Sequence, residues 1–238
     1  MFDRRYNRVL LKISGEALKG NSDSKSQDHD AINRIVDDIL EVDQEGIQVC
    51  LVVGGGNFYR GRTRIELGIE RAAADYIGML ATIMNALTLQ EVLISKGVNA
   101  KVLSSIPVES ICETYSRNKA LNYMEQGAVV IFAGGTGNPF VSTDTLAVYR
   151  ALEMRCDALF KGTQFPGVYS EDPKKNKNAK KYNSLSYNEM IEKKLEVMDL
   201  PAVLVAHEQN LPIVVFSILK KGEFNKVVYD DGNFTIIN

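Results

Sequence analysis

Residues 49–61 read VCLVVGGGNFYRG. Five apolar residues, mostly β-branched, run straight into three glycines, the pattern of a buried strand whose end lets backbone approach a partner closely. In an open parallel sheet such ends form the carboxyl edge, where bare N–H groups suit an anion such as phosphate. Arg60 follows four residues after the last glycine and offers charge-assisted hydrogen bonds to the same oxygens. A lone GGG fits a ligand-free strand-to-helix turn equally well. A second loop shifts the balance. Residues 132–144, FAGGTGNPFVSTD, follow the apolar run AVVIFA at 128–133 and end in the hydroxyls of Thr136, Ser142 and Thr143 with Asp144 behind them. Two glycine-rich strand exits predict one mouth.

The 238 residues are 45% hydrophobic, enough for one large α/β domain or two small lobes sharing a core. A formal net charge of −2 favours neither a nucleic acid nor a membrane surface as partner. Cys50, Cys112 and Cys156 lack CxxC spacing, and His29 and His207 are far apart, so neither a disulfide framework nor a zinc site is expected. The opening MFDRRYNRVLLKISG passes from charge to a short apolar run broken by Lys12, unlike a signal peptide. No run is read as reaching the roughly 18 to 20 apolar residues of a spanning helix. A cytoplasmic, thiol-reduced protein is expected.

Residues 8–13, RVLLKI, form the first predicted strand, with Lys12, Ser14 and Gly15 at its exit. An ammonium there reaches the edge where the glycine loops lie; a solvated strand-end lysine is the other reading. A polar loop over 20–30 precedes a helix over 31–45, with Ile32, Ile35, Val36 and Ile39 at helical spacing, Asp30 placed to cap it and Gly46 to end it. Strand, helix and strand of these lengths form a right-handed βαβ unit. The segment 72–96 is apolar over more than one helical face (Ile77, Leu80, Ala81, Met84, Leu87, Leu89, Val92), which predicts burial by the sheet on one side and by another subunit on the other. Asp75, near its start, serves either the helix dipole or a hydroxylated ligand. Strands at 99–103, 158–161 and 212–217 alternate with helices at 116–126, 145–154, 186–194 and 200–210, with a capping signal from Ser184 or Ser186 to Glu189. Residues 174–182, KKNKNAKKY, read as a solvated basic excursion, and Asp231-Gly232 as a hairpin turn in a strand-like tail.

KISGEAL at 12–18, GGGN at 54–57 with Arg60-Gly61, MLAT at 79–82 with Met84-Asn85, the loop 133–144 and VMDL at 197–200 together resemble the bacterial UMP kinases of the amino-acid-kinase superfamily, over about residues 6–237. KxSG and GGG belong to the wider superfamily; TGNPF followed by Thr-Asp is the specific part. The resemblance implies a three-layer αβα sandwich with a mostly parallel open sheet. It implies one domain over 1–238, the part to about 155 carrying UMP and phosphate loops and 156–238 mainly ATP. The implied reaction is phosphorylation of UMP to UDP by Mg-ATP in pyrimidine nucleotide biosynthesis, with Mg²⁺ entering on ATP and no protein metal cage. By position, Lys12, Arg60, Asp144 and Asp199 would be catalytic. Lys12, Ile13, Ser14, Gly15, Gly56 and Arg60 would meet the ATP phosphates, with Thr163, Tyr169 and Asp172 on the adenosine side. Gly55, Asp75, Thr136, Gly137, Asn138, Pro139, Phe140, Val141, Ser142 and Thr143 would hold UMP. Asp199 would chiefly orient Lys12, while Asp144 either shares that task or caps the following helix. A homo-hexamer and feedback by UTP are also implied.

Two departures from the family pattern carry expectations of their own. Pro166-Gly167 replaces the usual Asp-Gly, losing a carboxylate and an N–H on the adenine side while keeping a turn. Polar NSDSKSQDHD at 21–30 replaces the turn of the GTP-effector region, so GTP activation is expected to be weak or absent. Two other readings share part of the pattern. A carbamate- or acetylglutamate-type kinase would use the same lysine and glycine loops but not TGNPF. A non-catalytic nucleotide-binding regulator would not need Lys12 or Asp199.

Overall fold

The computed structural model describes residues 5–20, 26–60 and 65–238. Gly61 and residues 21–25 of the polar loop lie outside them. Among the described residues nine strands form one sheet: β1 (Arg8–Ile13), β2 (Gln48–Val53), β3 (Ala100–Ser104), β4 (Glu113–Thr114), β5 (Val129–Ala133), β6 (Ala158–Thr163), β7 (Ser184–Leu185), β8 (Ile213–Ser217) and β9 (Phe234–Ile237). Their order is β4-β3-β5-β2-β1-β6-β8-β9-β7. All neighbours are parallel except β8 and β9, so β1 sits mid-sheet and the strands from β3 to β8 share one carboxyl edge.

The near-continuous apolar strands arise because both faces are covered. Val9, Leu11 and Ile13 of β1 point into one apolar layer, made with helices α1 (Gly15–Lys19), α2 (His29–Gln44), α3 (Arg71–Ser95) and α8 (Glu223–Val228). Leu10 points into the other, made with α4 (Arg117–Glu125), α5 (Thr143–Glu153), α6 (Tyr187–Glu192) and α7 (Leu200–Glu208). This is the expected three-layer α/β sandwich. Phe160, Phe216 and Phe224 interlock in the first layer, with Phe160 edge-on to Phe224 at 5.6 Å between ring centres. Such pairs add about 0.5–1.5 kcal/mol each beyond the area they bury.

Several local expectations need correction. Asp28, not Asp30, caps α2, accepting from the Ala31 N–H at 2.9 Å, and Asp30 lies in the exposed first turn. Asp231-Gly232 is no hairpin turn: Phe224, Val227 and Val228 fall at helical spacing and bury α8 in the first layer, so the dipeptide joins a helix to β9. The helix after the second glycine loop starts at Thr143, capped by Ser142 rather than Asp144. Strands β4 and β7, two residues each, are too short to leave a periodic signal. Among the described residues α3 is long and apolar enough to cross a membrane, contrary to the reading of the sequence; its inner side lies on the sheet, where Ile83, Ala86, Leu89 and Leu93 are buried.

One buried acid ties two helices together. Asp38 of α2 is 1% exposed and accepts from the Gly222 N–H at 2.7 Å, at the start of α8. Burial pushes its carboxyl up to about 6, against the N–H groups of Gly222 and Phe224 that favour the anion; Glu41 adds to the rise and Arg34 opposes it. A folded state that holds this proton more tightly than the unfolded chain loses stability as pH rises from about 4 through about 6. Asp38→Asn keeps an acceptor oxygen without the charge. Relative to the parent, its Tm should therefore gain roughly 5 °C between about pH 4.5 and 7.5. Thermal melts across that range that show a constant difference would contradict the assignment.

Candidate active site

Lys12 and Lys161 stand directly opposite each other on adjacent strands β1 and β6. Parallel neighbours in register place side chains on one face about 4.8 Å apart. Both lysines are buried, and both meet one carboxylate. Asp144, in the first turn of α5, lies 2.8 Å from Lys12 Nζ and 2.5 Å from Lys161 Nζ. Burial alone would raise the Asp144 carboxyl, but the two ammonium groups outweigh it and hold it at about 2. Burial and the neighbouring Lys12 charge bring Lys161 down to about 8, with Asp144 opposing.

Asp144 is therefore the group that holds Lys12. Asp199, expected to do so, sits at the position before α7 without a capping bond from its side chain and is occupied by hydroxyls: Ser142 donates to it at 2.7 Å and Thr145 at 2.6 Å. The same Ser142 oxygen accepts from the N–H groups of Asp144 and Thr145. Lys161 was passed over in the sequence. Its signal was present, since ALFKGT repeats the arrangement of RVLLKI, a lysine near the end of an otherwise apolar strand.

The glycine loops close on this cluster. A Cβ at Gly15 would come 2.5 Å from Asn57 Oδ1 and 2.6 Å from the Gly56 nitrogen, so the exits of β1 and β2 touch only because that side chain is missing. Arg60 lies at the rim, held to Glu16 at 2.8 Å. Asp75 of α3 accepts from the Phe140 N–H at 2.8 Å, which ties the helix to the tip of the second loop. Between the loops lies a cavity of about 470 Å³, lined by Gly55, Gly56, Asp75, Gly135, Val141 and Thr143 among others. Thr136, Asn138 and Phe140 line instead a hollow of about 420 Å³ beside Thr145 and Asp199. Thr136 Oγ1 bonds within its own loop, to the carbonyl and N–H of Asn138.

On the opposite flank a hollow of about 760 Å³ runs from Asp144 and Asp199 along Met190, Leu195 and Val197. Leu195 and Val197 also line its neighbour, of about 400 Å³, which holds Tyr169 and Asp172. Thr163 lines neither hollow and bonds to the Phe165 carbonyl at 2.7 Å. In the Pro166-Gly167 departure, Gly167 has φ of +147° and a Cβ there would sit 2.4 Å from Thr235 Oγ1, so close packing onto β9 requires glycine as much as the turn does.

The sequence profile of the Amino acid kinase family matches residues 7–217. The chain is 55% identical over 233 residues to a protein named uridylate kinase from Rickettsia prowazekii (strain Madrid E), covering 98% of this chain and 96% of that one. Its structure superposes on UMP kinase from Bacillus anthracis with a TM-score of 0.94 at 41% identity, over 98% of this chain and 96% of that one. For UMP kinase from Ureaplasma parvum the TM-score is 0.93 at 36% identity, over 98% of each.

Asp144→Asn leaves two buried ammonium groups without their counter-charge. The variant should lose about 3–5 kcal/mol in denaturant unfolding at neutral pH. Because Lys161 sheds its proton above about 8, that deficit should shrink when the titration is repeated near pH 9.5. A deficit that grows with pH would show that the lysines are not the groups being compensated.

Proposed function

The chain belongs to the Amino acid kinase family, and on that premise we propose that it transfers the γ-phosphoryl group of ATP to UMP, giving ADP and UDP. The observation that carries the reading is the convergence of Lys12, Lys161 and two glycine loops on one stretch of the sheet edge. Phosphoryl transfer asks little covalent chemistry of a protein; it asks for in-line placement and for positive charge where the equatorial oxygens gain negative charge. Lys12 and Lys161 supply that charge from a rigid pair of strands, and Asp144 fixes where their ammonium groups point. The acceptor is a phosphate, with a second pKa near 6 and thus already anionic at neutral pH, so no general base is needed. Neither carboxylate is free to serve as one.

The cavity beside Gly55 and Asp75 takes UMP, with Gly135, Val141 and Thr143 of the second loop forming part of its wall. The hollow from Asp144 past Leu195 to Tyr169 takes ATP, with its phosphates reaching out of it toward Ser14, Gly15, Gly56 and Arg60 at the sheet edge. Residues up to about 155 thus serve mainly the acceptor and 156–238 mainly the donor. Among the described residues no cluster of three acidic, histidine or cysteine side chains offers a cage for a metal. A Mg²⁺ arriving on ATP with phosphate and water ligands would supply charge neutralisation there, with Asp199 as the carboxylate that would hold one of its waters. The protein works in the cytoplasm, in pyrimidine nucleotide synthesis. UTP, whose uridine portion matches the acceptor, acts as feedback inhibitor, and GTP activates weakly or not at all.

In a coupled assay of ADP release with UMP, CMP and dUMP, UMP should be the preferred acceptor; failure to phosphorylate UMP overturns the reading. Lys12→Ala should lower kcat at least about 100-fold while KM for UMP changes far less. A raised KM with kcat unchanged would place Lys12 in ground-state binding only. The outer face of α3 exposes Tyr76, Ile77, Leu80, Met84 and Ile94, an apolar stripe suited to homo-oligomeric assembly, here a hexamer. Sedimentation at micromolar concentration should show an oligomer, and a charge placed by Leu80→Arg should dissociate it.

A further inference from the structure

Thr82 and Asn85 belong to a sequence motif that the proposed chemistry leaves without a task. They lie three residues apart on α3, hence on one face, and are 2% and 0% exposed. Thr82 Oγ1 donates to the Met79 carbonyl at 2.7 Å and accepts from the Gly134 N–H at 2.8 Å, the first residue past β5. Asn85 Nδ2 donates to the Gly54 carbonyl at 2.7 Å, the first residue past β2, and to Asn57 Oδ1 at 2.7 Å. Its Oδ1 accepts from Asn57 Nδ2 at 3.0 Å and from Gln27 Nε2 at 2.9 Å. One side chain grips the second glycine loop and the other grips the first.

The backbone contacts repeat this division. A Cβ on Gly55 would lie 2.6 Å from the Gly78 carbonyl and 2.9 Å from Ala81 Cβ, so the first loop rests directly on the helix. A Cβ on Gly135, whose φ is +55°, would come 3.0 Å from Met79 Cγ, so the second loop rests on the same turn. Buried polar groups whose hydrogen bonds are all met admit one arrangement, because any shift leaves a partner unsatisfied in a dry interior.

We propose that Thr82 and Asn85 are a positioning pair that sets the spacing of the two glycine loops across the acceptor cavity, each pinning one loop to the same rigid helix. The inference rests on the phosphoryl-transfer reading for its kinetic consequence, but not for the pinning itself. Thr82 also lines the acceptor cavity, but its hydroxyl is taken up by the Met79 carbonyl and the Gly134 N–H; Asn85 is not part of that lining. Thr82 acts through Gly134 on the loop assigned to UMP, whereas Asn85 acts through Gly54 and Asn57 on the loop assigned to both nucleotides.

Amide hydrogen exchange on the nucleotide-free protein tests the pinning, and steady-state kinetics tests its consequence. Thr82→Val keeps the shape and loses the hydroxyl. It should speed exchange at Gly134 about tenfold without changing residues 54–57, and raise KM for UMP about tenfold with KM for ATP within twofold. Thr82→Ser should restore parental values of all of these. Asn85→Ala should speed exchange at residues 54–57 and raise both KM values. Parental exchange at Gly134 in Thr82→Val, a parental KM with only a lowered Tm, or a Thr82→Ser as impaired as Thr82→Val would each overturn the proposal. Should Asn85→Ala fail to fold, the two Thr82 variants decide alone. A parent protein inactive on UMP would retract the functional reading, and the exchange data, which need no substrate, would still decide the pinning.

Discussion

The arrangement at the sheet edge depends on one carboxylate set between two ammonium groups. Lys12 and Lys161 are forced together by strand register, not by attraction. Two like charges at that spacing in a dry setting repel by several kcal/mol even at an effective dielectric of about 20. Asp144 offsets the repulsion from the first turn of α5, where the helix dipole also favours an anion. The triad keeps one net positive charge. Buried ion clusters of this kind contribute little stability compared with apolar packing, so their place in a core points to chemistry with an anion.

Ser142 extends that constraint across the second layer. Its hydroxyl accepts two N–H bonds that start α5 and donates to Asp199, which starts α7. The orientation of Asp144 and the position of Asp199 thus depend on one residue, and that residue ends the long loop from β5. On the other side of the sheet the same loop is tied at Phe140 to Asp75 of α3. A loop of this length keeps a defined shape because Gly134 and Phe140 are bonded to α3 in one helix layer and Ser142 is bonded to the start of α7 in the other.

How much of this was legible follows from the range of each interaction. The apolar strands with abrupt glycines marked β1, β2 and β5 and their common edge, because strand burial and exit are local properties. Ser186 and Glu189 likewise form the capping box their spacing suggested. Lys161 was missed because a single lysine at a strand end is usually solvated; only the register with Lys12, a matter of which strands are neighbours, makes it a partner. That Asp144, and not Asp199, pairs with Lys12 was hidden for a similar reason. Both precede or begin helices, and which one faces the lysines depends on how α5 and α7 pack under the sheet. The tail was misread because Asp231-Gly232 suits several turns, and the buried spacing of Phe224, Val227 and Val228 outweighs it.

The two acids also answer an electrostatic objection to the site. A carboxylate beside a triphosphate repels it unless its charge is already committed. Asp144 is committed to two cations, so the group an incoming phosphate meets is a net positive triad. Asp199 is committed differently, to the hydroxyls of Ser142 and Thr145, which stabilise an anion by dipoles without cancelling its charge. It therefore keeps a field that helps hold Lys161 protonated despite burial. Its contribution is thus a standing negative charge behind the lysines, which strengthens the cationic face presented to phosphate rather than opposing it.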